Sequence, residues 1–364
     1  MIYLLVFLIA FSLLLTSLTT VWIRKVALRI SFVDLPGDRK IHTAPVPLGG
    51  GVAVAVGIFG AILVGVMGAY LQGQTGLLDF LPKEIIQHVE GVFVKLPQLV
   101  VICMGGLVIL VLGLVDDRYG VSPWTKLLVQ ALVALGLVLS GEQLSVFLGG
   151  SLSEKALGAI LTVCWVIIVT NGFNLMDHMD GVCCGVIVIT SLSFLIVALF
   201  TQQLFIACLL ATLIGANLGF LSFNFHPARI FLGDAGSMFL GYLAAALTIV
   251  FTFYQEHYEL YSYFTPLVVL SIPLFDSLTV AGIRLARGRH IFQADTNHLA
   301  HRLVYLGMPI QLAVLVVYIL TLCTGLGAIL LYKVDNLGGA VIILSQILLI
   351  FGIIILIQLG SYKR

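Results

Sequence analysis

Charge is scarce in this sequence. Asp, Glu, Lys and Arg make up only 10% of its 364 residues, and the formal net charge is +1. A nucleic-acid binder needs a basic patch or tail. No arginine-rich tract is present, so nucleic acid is not expected as a partner. Cysteine is sparse as well. Cys103, Cys164, Cys183, Cys184, Cys208 and Cys323 all lie in or against apolar runs, and none has the spacing of a structural zinc site. They read as small hydrophobes. Fixed-period repeats, low-complexity segments and stretches long enough for a soluble domain are missing. The first apolar stretch has no basic lead-in and no small-residue cleavage site after it. It is expected to be kept as a span rather than removed as a signal peptide.

What is present is hydrocarbon. Hydrophobic residues make up 60% of the chain, and the mean hydropathy is +1.15. A helix needs about 20 apolar residues to cross a bilayer. Eleven runs approach that length, at about 1–23, 48–71, 98–115, 124–140, 156–172, 182–200, 204–222, 237–254, 262–283, 309–332 and 338–359. The fourth and fifth are short, and the fifth could be tilted or partly re-entrant. The expected fold class is an all-α integral membrane protein of about eleven transmembrane helices, forming one polytopic domain over 1–364.

Orientation is read from lysine and arginine, which collect on the cytoplasmic side. Only Lys83, Lys95, Lys155 and Lys333, out of 18 basic residues, fall on one side of an eleven-span arrangement. The N-terminus is therefore expected outside and the C-terminus in the cytoplasm. The cytoplasmic loops are then about 24–47, 116–126, 171–181, 223–237 and 284–308.

The acids fall on that same side. Carboxylates beside hydrocarbon are costly and are functional suspects by default. Asp116-Asp117 ends the third run, and Lys126 opens the fourth. A paired carboxylate can hold a metal-bound phosphate or take a proton, although a solvated turn at a membrane border gives the same pattern. Asn174, Asp177 and Asp180 are three apart, so a helical turn would place them on roughly one face. Such oxygen ligands suit magnesium, while polar capping between two spans is the plainer reading.

The stretch from Asn224 to Ser237 contains Phe231, Gly233, Asp234 and Gly236. The glycines let backbone approach a ligand. Asp234 and Ser237 could cap the following span, and Phe231 could stack on a base. Lys40 and His42 precede Gly49-Gly50-Gly51 and offer a mobile cation for diphosphate, or simple anchoring at the membrane surface. His298, His301 and Arg302 lie in the last large cytoplasmic loop, where they could bind phosphate or sugar, or face lipid headgroups. Asp276, inside the ninth run, is expected to satisfy a helix–helix polar contact.

On these motifs, from about Val33 to Arg302, the chain resembles the polyprenyl-phosphate N-acetylhexosamine-1-phosphate transferases. It is most similar to the branch that uses UDP-GlcNAc and undecaprenyl phosphate. The resemblance implies transfer of a sugar-1-phosphate from a UDP-sugar to a membrane polyprenyl phosphate, with UMP released and a cell-envelope polysaccharide begun. Another UDP-N-acetylhexosamine, or UDP-MurNAc-pentapeptide, is the alternative donor. It also implies Mg2+, with Mn2+ as a substitute, and Asp234 and Asn174 as its ligands. Asp116 would orient or deprotonate the lipid phosphate, supported by Asp117. Lys40 and Lys126 would contact phosphates, with His42 beside them. Asp180 and Phe231 would hold uracil, Asp177 and Asn224 would line the same cavity, and His298, His301 and Arg302 would face the diphosphate and sugar. A homodimer in the inner membrane, with the site facing the cytoplasm, is also implied.

Two positions depart from the family pattern. His178-Met179 stands where Gly-Leu is usual, and Ala300 replaces the middle histidine of a cluster. Outside this family, an ion-coupled transporter would place its acids near midplane, and a CDP-alcohol phosphotransferase would need a longer aspartate-and-arginine motif. Neither pattern is present.

Overall fold

The structure is a computed structural model that describes residues 1–36, 44–76, 83–144, 151–253, 260–293, 295–334 and 336–360. Among these residues the fold is helical apart from one two-stranded antiparallel ribbon. The ribbon pairs β1 (Val33–Asp34) with β2 (Val46–Pro47). Lys40 and His42 lie outside the described residues.

The helices are α1 (Ile2–Arg29), α2 (Gly50–Thr75), α3 (Lys83–Ile86), α4 (Val89–Tyr119), α5 (Pro123–Leu139), α6 (Leu152–Met176) and α7 (Val182–Phe200). They continue with α8 (Leu204–Asn224), α9 (Gly233–Val250), α10 (Thr265–Val269), α11 (Ser271–Ala286), α12 (Leu299–Tyr305), α13 (Ile310–Leu331) and α14 (Leu337–Gly360). Local sequence explains several boundaries. Ser122 caps α5 by accepting from the Thr125 N–H, with Pro123 at the first helical position, where a missing N–H is harmless. Ser151 and Glu154 form a reciprocal capping box that starts α6.

Each apolar run of the sequence corresponds to helix, but not each helix is a full span. Among the described residues, nine are long and apolar enough to cross a membrane, or ten if the segment Tyr261–Val269 and α11 count as one. Those two are bent by 66° to each other. α5 has only 17 residues. The fifth run is not broken: α6 continues unbroken for 25 residues. The interruption falls instead in the ninth run. The chain is a multi-pass membrane protein.

α9 is the hub. It packs against α4, α6 and α2, and 83% of its apolar window is buried, against 22% for α14. A span buried on all sides can carry a polar group at its end that lipid never meets. The N-terminus of α9 begins at Gly233-Asp234, so the central helix delivers Asp234 to the same end of the bundle as the α4–α5 turn.

Candidate active site

Backbone contact fixes where α9 starts. The N–H groups of Gly50 and Gly51, at the head of α2, donate to the carbonyls of Phe231 (3.0 Å) and Leu232 (2.9 Å). The Phe231 N–H in turn donates to Pro47 (2.9 Å). This approach needs glycine: a Cβ on Gly51 would lie 2.3 Å from the Gly236 nitrogen. Gly233 adopts φ +75°, and a Cβ there would meet the Asp117 carboxylate at 2.5 Å.

That carboxylate caps α9. Asp117 accepts from the backbone N–H groups of Asp234 (2.8 Å) and Ala235 (3.1 Å). The first N–H groups of a helix have no partner within it, and an anion is favoured there. Asp234 and Ser237 do not cap their own helix, as the sequence suggested. Asp234 sits in the first turn, and the Ser237 hydroxyl donates to the Gly233 carbonyl (3.1 Å). Asp117 is therefore a positioning group for Asp234.

Lys126, from α5, joins the remaining acids. Its ammonium pairs with Asp234 at 2.9 Å and with Asp116. Asp116 also accepts from the Val121 N–H (2.7 Å), which tethers the α4–α5 turn. Asn174, near the end of α6, donates to Ser237 Oγ (3.0 Å) and also hydrogen-bonds the Asp234 side chain. Four helices thus bring Asp116, Asp117, Lys126, Asn174 and Asp234 together. A hard divalent cation takes oxygen ligands. Asp234 offers such oxygens, with Asn174 beside it and turning its amide NH2 to Ser237, and the Lys126 ammonium shows that positive charge is already favoured between Asp116 and Asp234.

Asp177 and Asp180 do not share a helical face. α6 stops at Met176, and Asp177 is already outside it at φ −81°, ψ 44°. Burial pushes the Asp177 carboxyl well above its ordinary range, and the charges of Asp234, Asp117 and Asp180 push it further. Asp177 therefore feels all three acidic groups. Asp180 turns the other way. Its Oδ2 accepts from His226 Nδ1 (2.7 Å) and the Ala228 N–H (3.0 Å), fastening this loop to the one before α9.

Asn224 is a clamp between two loops. It is buried, accepts from the Gly181 N–H (3.1 Å) and donates to the Ile230 carbonyl (3.0 Å). The Tyr318 hydroxyl, from α13, donates to the Gly181 carbonyl (2.6 Å). Phe231 is partly buried beside Leu232. Arg302 is buried and donates to the Asn297 carbonyl (2.7 Å) and side chain (3.2 Å), so it shapes its own loop.

His298 and His301 meet a residue that the sequence did not place with them. The His178 ring stacks on His298, with centroids 4.3 Å apart and planes 17° apart, and lies 4.8 Å from His301. Asp276, in α11, makes the helix–helix polar contact expected of it, to the head of α12. It accepts from His298 Nδ1 (2.8 Å) and from the Leu299 N–H (2.8 Å) at the head of α12. His178, Asp276 and His298 lie close enough to hold a metal. Their geometry opposes it: imidazole lone pairs lie in the ring plane, so two near-parallel stacked rings cannot aim at one ion. Burial lowers the His178 and His301 pKa values, with the neighbouring His298 adding to it, and His301 falls to about 4.

The loop carrying these histidines is locked by charge. Arg284 donates to both oxygens of Asp295 at 3.1 Å. Burial raises the Asp295 carboxyl, but the bonds from Arg284 and Asn297 outweigh it and hold the group at about 2.

Comparison with known proteins identifies the family. Residues 99–252 match the family model for glycosyl transferase family 4. That segment includes Asp116, Lys126, Asn174, Asp180 and Asp234. A probable undecaprenyl-phosphate N-acetylglucosaminyl 1-phosphate transferase of Bacillus subtilis (strain 168) is 32% identical over 324 residues, 88% of this chain and 83% of that protein. A decaprenyl-phosphate N-acetylglucosaminephosphotransferase of Mycobacterium tuberculosis (strain ATCC 25618 / H37Rv) is 30% identical, over 82% of this chain and 75% of that protein. An undecaprenyl-phosphate alpha-N-acetylglucosaminyl 1-phosphate transferase of Escherichia coli (strain K12) is 27% identical, over 87% and 82%. With relatives this similar over most of both chains, and the acids of separate loops gathered at the head of α9, this chain belongs to the polyprenyl-phosphate N-acetylhexosamine-1-phosphate transferase family.

Proposed function

We propose that this protein transfers GlcNAc-1-phosphate from UDP-GlcNAc to a polyprenyl phosphate and releases UMP. One observation carries the reading. Lys126 bridges Asp116 and Asp234, two acids from different helices, at the point where Asp117 caps the helix of Asp234. A phosphate nucleophile and a diphosphate electrophile repel each other, so the chemistry needs fixed positive charge and fixed geometry more than a strong base.

The bond changes follow from the substrates. An oxygen of the lipid phosphate forms a bond to the β-phosphorus of the nucleotide sugar. The bond from that phosphorus to the bridging oxygen breaks, and its electron pair leaves on UMP. Lys126 meets the anionic reactants as a point charge. Asp116, held by Lys126 and the Val121 N–H, faces the lipid phosphate and orients it or takes its remaining proton. Asp177 and Asp180 stand on the nucleotide side. Asp234 and Asn174 would hold Mg2+, which when bound neutralises diphosphate charge. The polyprenyl tail lies among the spans, which keeps its phosphate at headgroup level. The bias of lysine and arginine supports a cytoplasmic site.

The test uses purified protein, undecaprenyl phosphate and a panel of radiolabelled UDP-sugars, with and without magnesium. Lipid-linked label and UMP from UDP-GlcNAc, only with the metal, is the expected result. No lipid-linked product from any donor would overturn the reading.

A further inference from the structure

Two residues outside the acid cluster make a built unit with His298. Asp276 is 3% exposed and His298 also 3%. Each oxygen of Asp276 has a job: Oδ1 accepts from the Leu299 N–H and Oδ2 from His298 Nδ1, both at 2.8 Å. A carboxylate only accepts, so the His298 proton sits on Nδ1, and Nε2 is the ring's remaining hydrogen-bonding atom. His178 fixes the ring from its face. It is itself held by a bond from Nδ1 to the Leu175 carbonyl (3.1 Å) at the end of α6, and its plane lies 17° from that of His298. The loop behind is tied down by the Arg284–Asp295 pair. Three separate segments therefore converge to hold one imidazole in one tautomer and one orientation.

We propose that Asp276 and His178 are positioning residues that present His298 Nε2 as a hydrogen-bond acceptor to a hydroxyl or acetamido N–H of the donor sugar. The proposal rests on the reading of the site as one for a UDP-linked acetamido sugar. It makes His298 a reader of the sugar rather than a cation for the diphosphate. Nucleotide recognition is left to the other loops.

The chemistry supplies a selective variant. In Asp276→Asn the Leu299 N–H can still donate only to oxygen, so the amide NH2 must face His298 Nδ1. The ring proton then moves to Nε2, and the acceptor becomes a donor. The side chain keeps its size and both contacts. Binding of UDP-GlcNAc and of UDP is measured by calorimetry on the full-length protein in detergent, without lipid acceptor. Asp276→Asn should weaken UDP-GlcNAc about tenfold, the worth of one hydrogen bond in a buried site, and leave UDP unchanged. In a His298→Gln background it should cost nothing further. His178→Gly should weaken UDP-GlcNAc by roughly threefold to tenfold, the worth of an aromatic contact, and His178→Phe, which keeps a flat ring, by less.

Equal losses for UDP and UDP-GlcNAc would overturn the proposal, as would additive losses in the double variant or unchanged binding in Asp276→Asn. UDP binding itself provides the check on folding. If the wild type binds UDP-GlcNAc but transfers nothing to lipid, the proposed reaction fails and this inference stands. If the wild type binds UDP but not UDP-GlcNAc in preference, the inference fails whatever the reaction.

Discussion

Asp117 holds the head of the helix that carries Asp234, accepting from the Asp234 N–H at 2.8 Å across 117 residues of chain. Two neighbouring acids thus divide the work. Asp116 meets Lys126, while Asp117 meets backbone. Removing the cap should cost about 1–2 kcal/mol of stability, as for other helix N-caps. We expect Asp117→Ala to lower both the melting temperature and kcat, and Asp116→Ala to lower kcat without a comparable loss of stability. Thermal melting and turnover of the two purified variants decide between them. Equal stability of the pair would remove Asp117 from its capping role.

Lys126 is placed to compensate two acids at once. Lys126→Met would leave Asp116 and Asp234 facing each other without a cation. Turnover should fall by about a hundredfold or more, as for other groups that stabilise charge in a reaction. Lys126→Arg keeps the charge but not its compactness, and should retain a part of the activity. Activity of the Met variant equal to that of the Arg variant would show that charge at this place is not what matters.

Gly51 allows α2 to touch α9. A Cβ there would lie 2.3 Å from the Gly236 nitrogen and 2.8 Å from the Ala235 carbonyl carbon, which are backbone and cannot swing away. Gly51→Ala should destabilise by roughly 1–3 kcal/mol, as overpacking does. Because the strain falls at the head of α9, kcat should drop too. Gly65, which has nothing within 4 Å, is the control position: Gly65→Ala should leave both quantities near wild type. Melting and activity assays on the two alanine variants check this.

Acid should loosen the histidine loop. His301 titrates at about 4 when folded and near the ordinary 6.5 when unfolded. Its neutral form suits the folded state, so the contribution is intact above 6.5 and is lost as pH falls from there towards 4. His178 shifts in the same direction. Asp295 acts lower on the scale. Its carboxyl is held at about 2 rather than 3.8, so its contribution is present above 3.8 and is lost as pH falls through about 2. Between pH 6.5 and about 4, His301→Gln should therefore gain melting temperature relative to the wild type, because it lacks this loss. A difference between wild type and variant that stays constant across that window would contradict the assignment.

Much of the site is legible in the sequence, for a simple reason. Carboxylates at the ends of apolar runs have few explanations other than chemistry or capping, and the glycines around Asp234 mark a close approach. Spacing fails at Asp177 and Asp180, because α6 stops at Met176 and the three-residue interval carries no helical meaning beyond it. The broken span is also elsewhere than expected. Length makes the fifth run suspect, whereas the 66° bend falls in the ninth, where Pro266 and Pro273 flank the junction at Leu270. His178 stands out in sequence as an unusual neighbour of Asp177, but nothing in the sequence names its partner.

The sequence by itself determined that the chain is a membrane protein, where its acids fall relative to its apolar runs, and the motifs it shares with its relatives. Those properties are local: hydropathy is a sum over one segment, and a motif is a string. Only the tertiary structure decided which acid serves which neighbour. Asp117 caps a distant helix, Asn224 clamps two loops, and Asp276 and His178 hold His298. Hydrogen bonds and ring stacking act over a few ångströms and in fixed directions, so they depend on how the helices pack, which no segment contains alone.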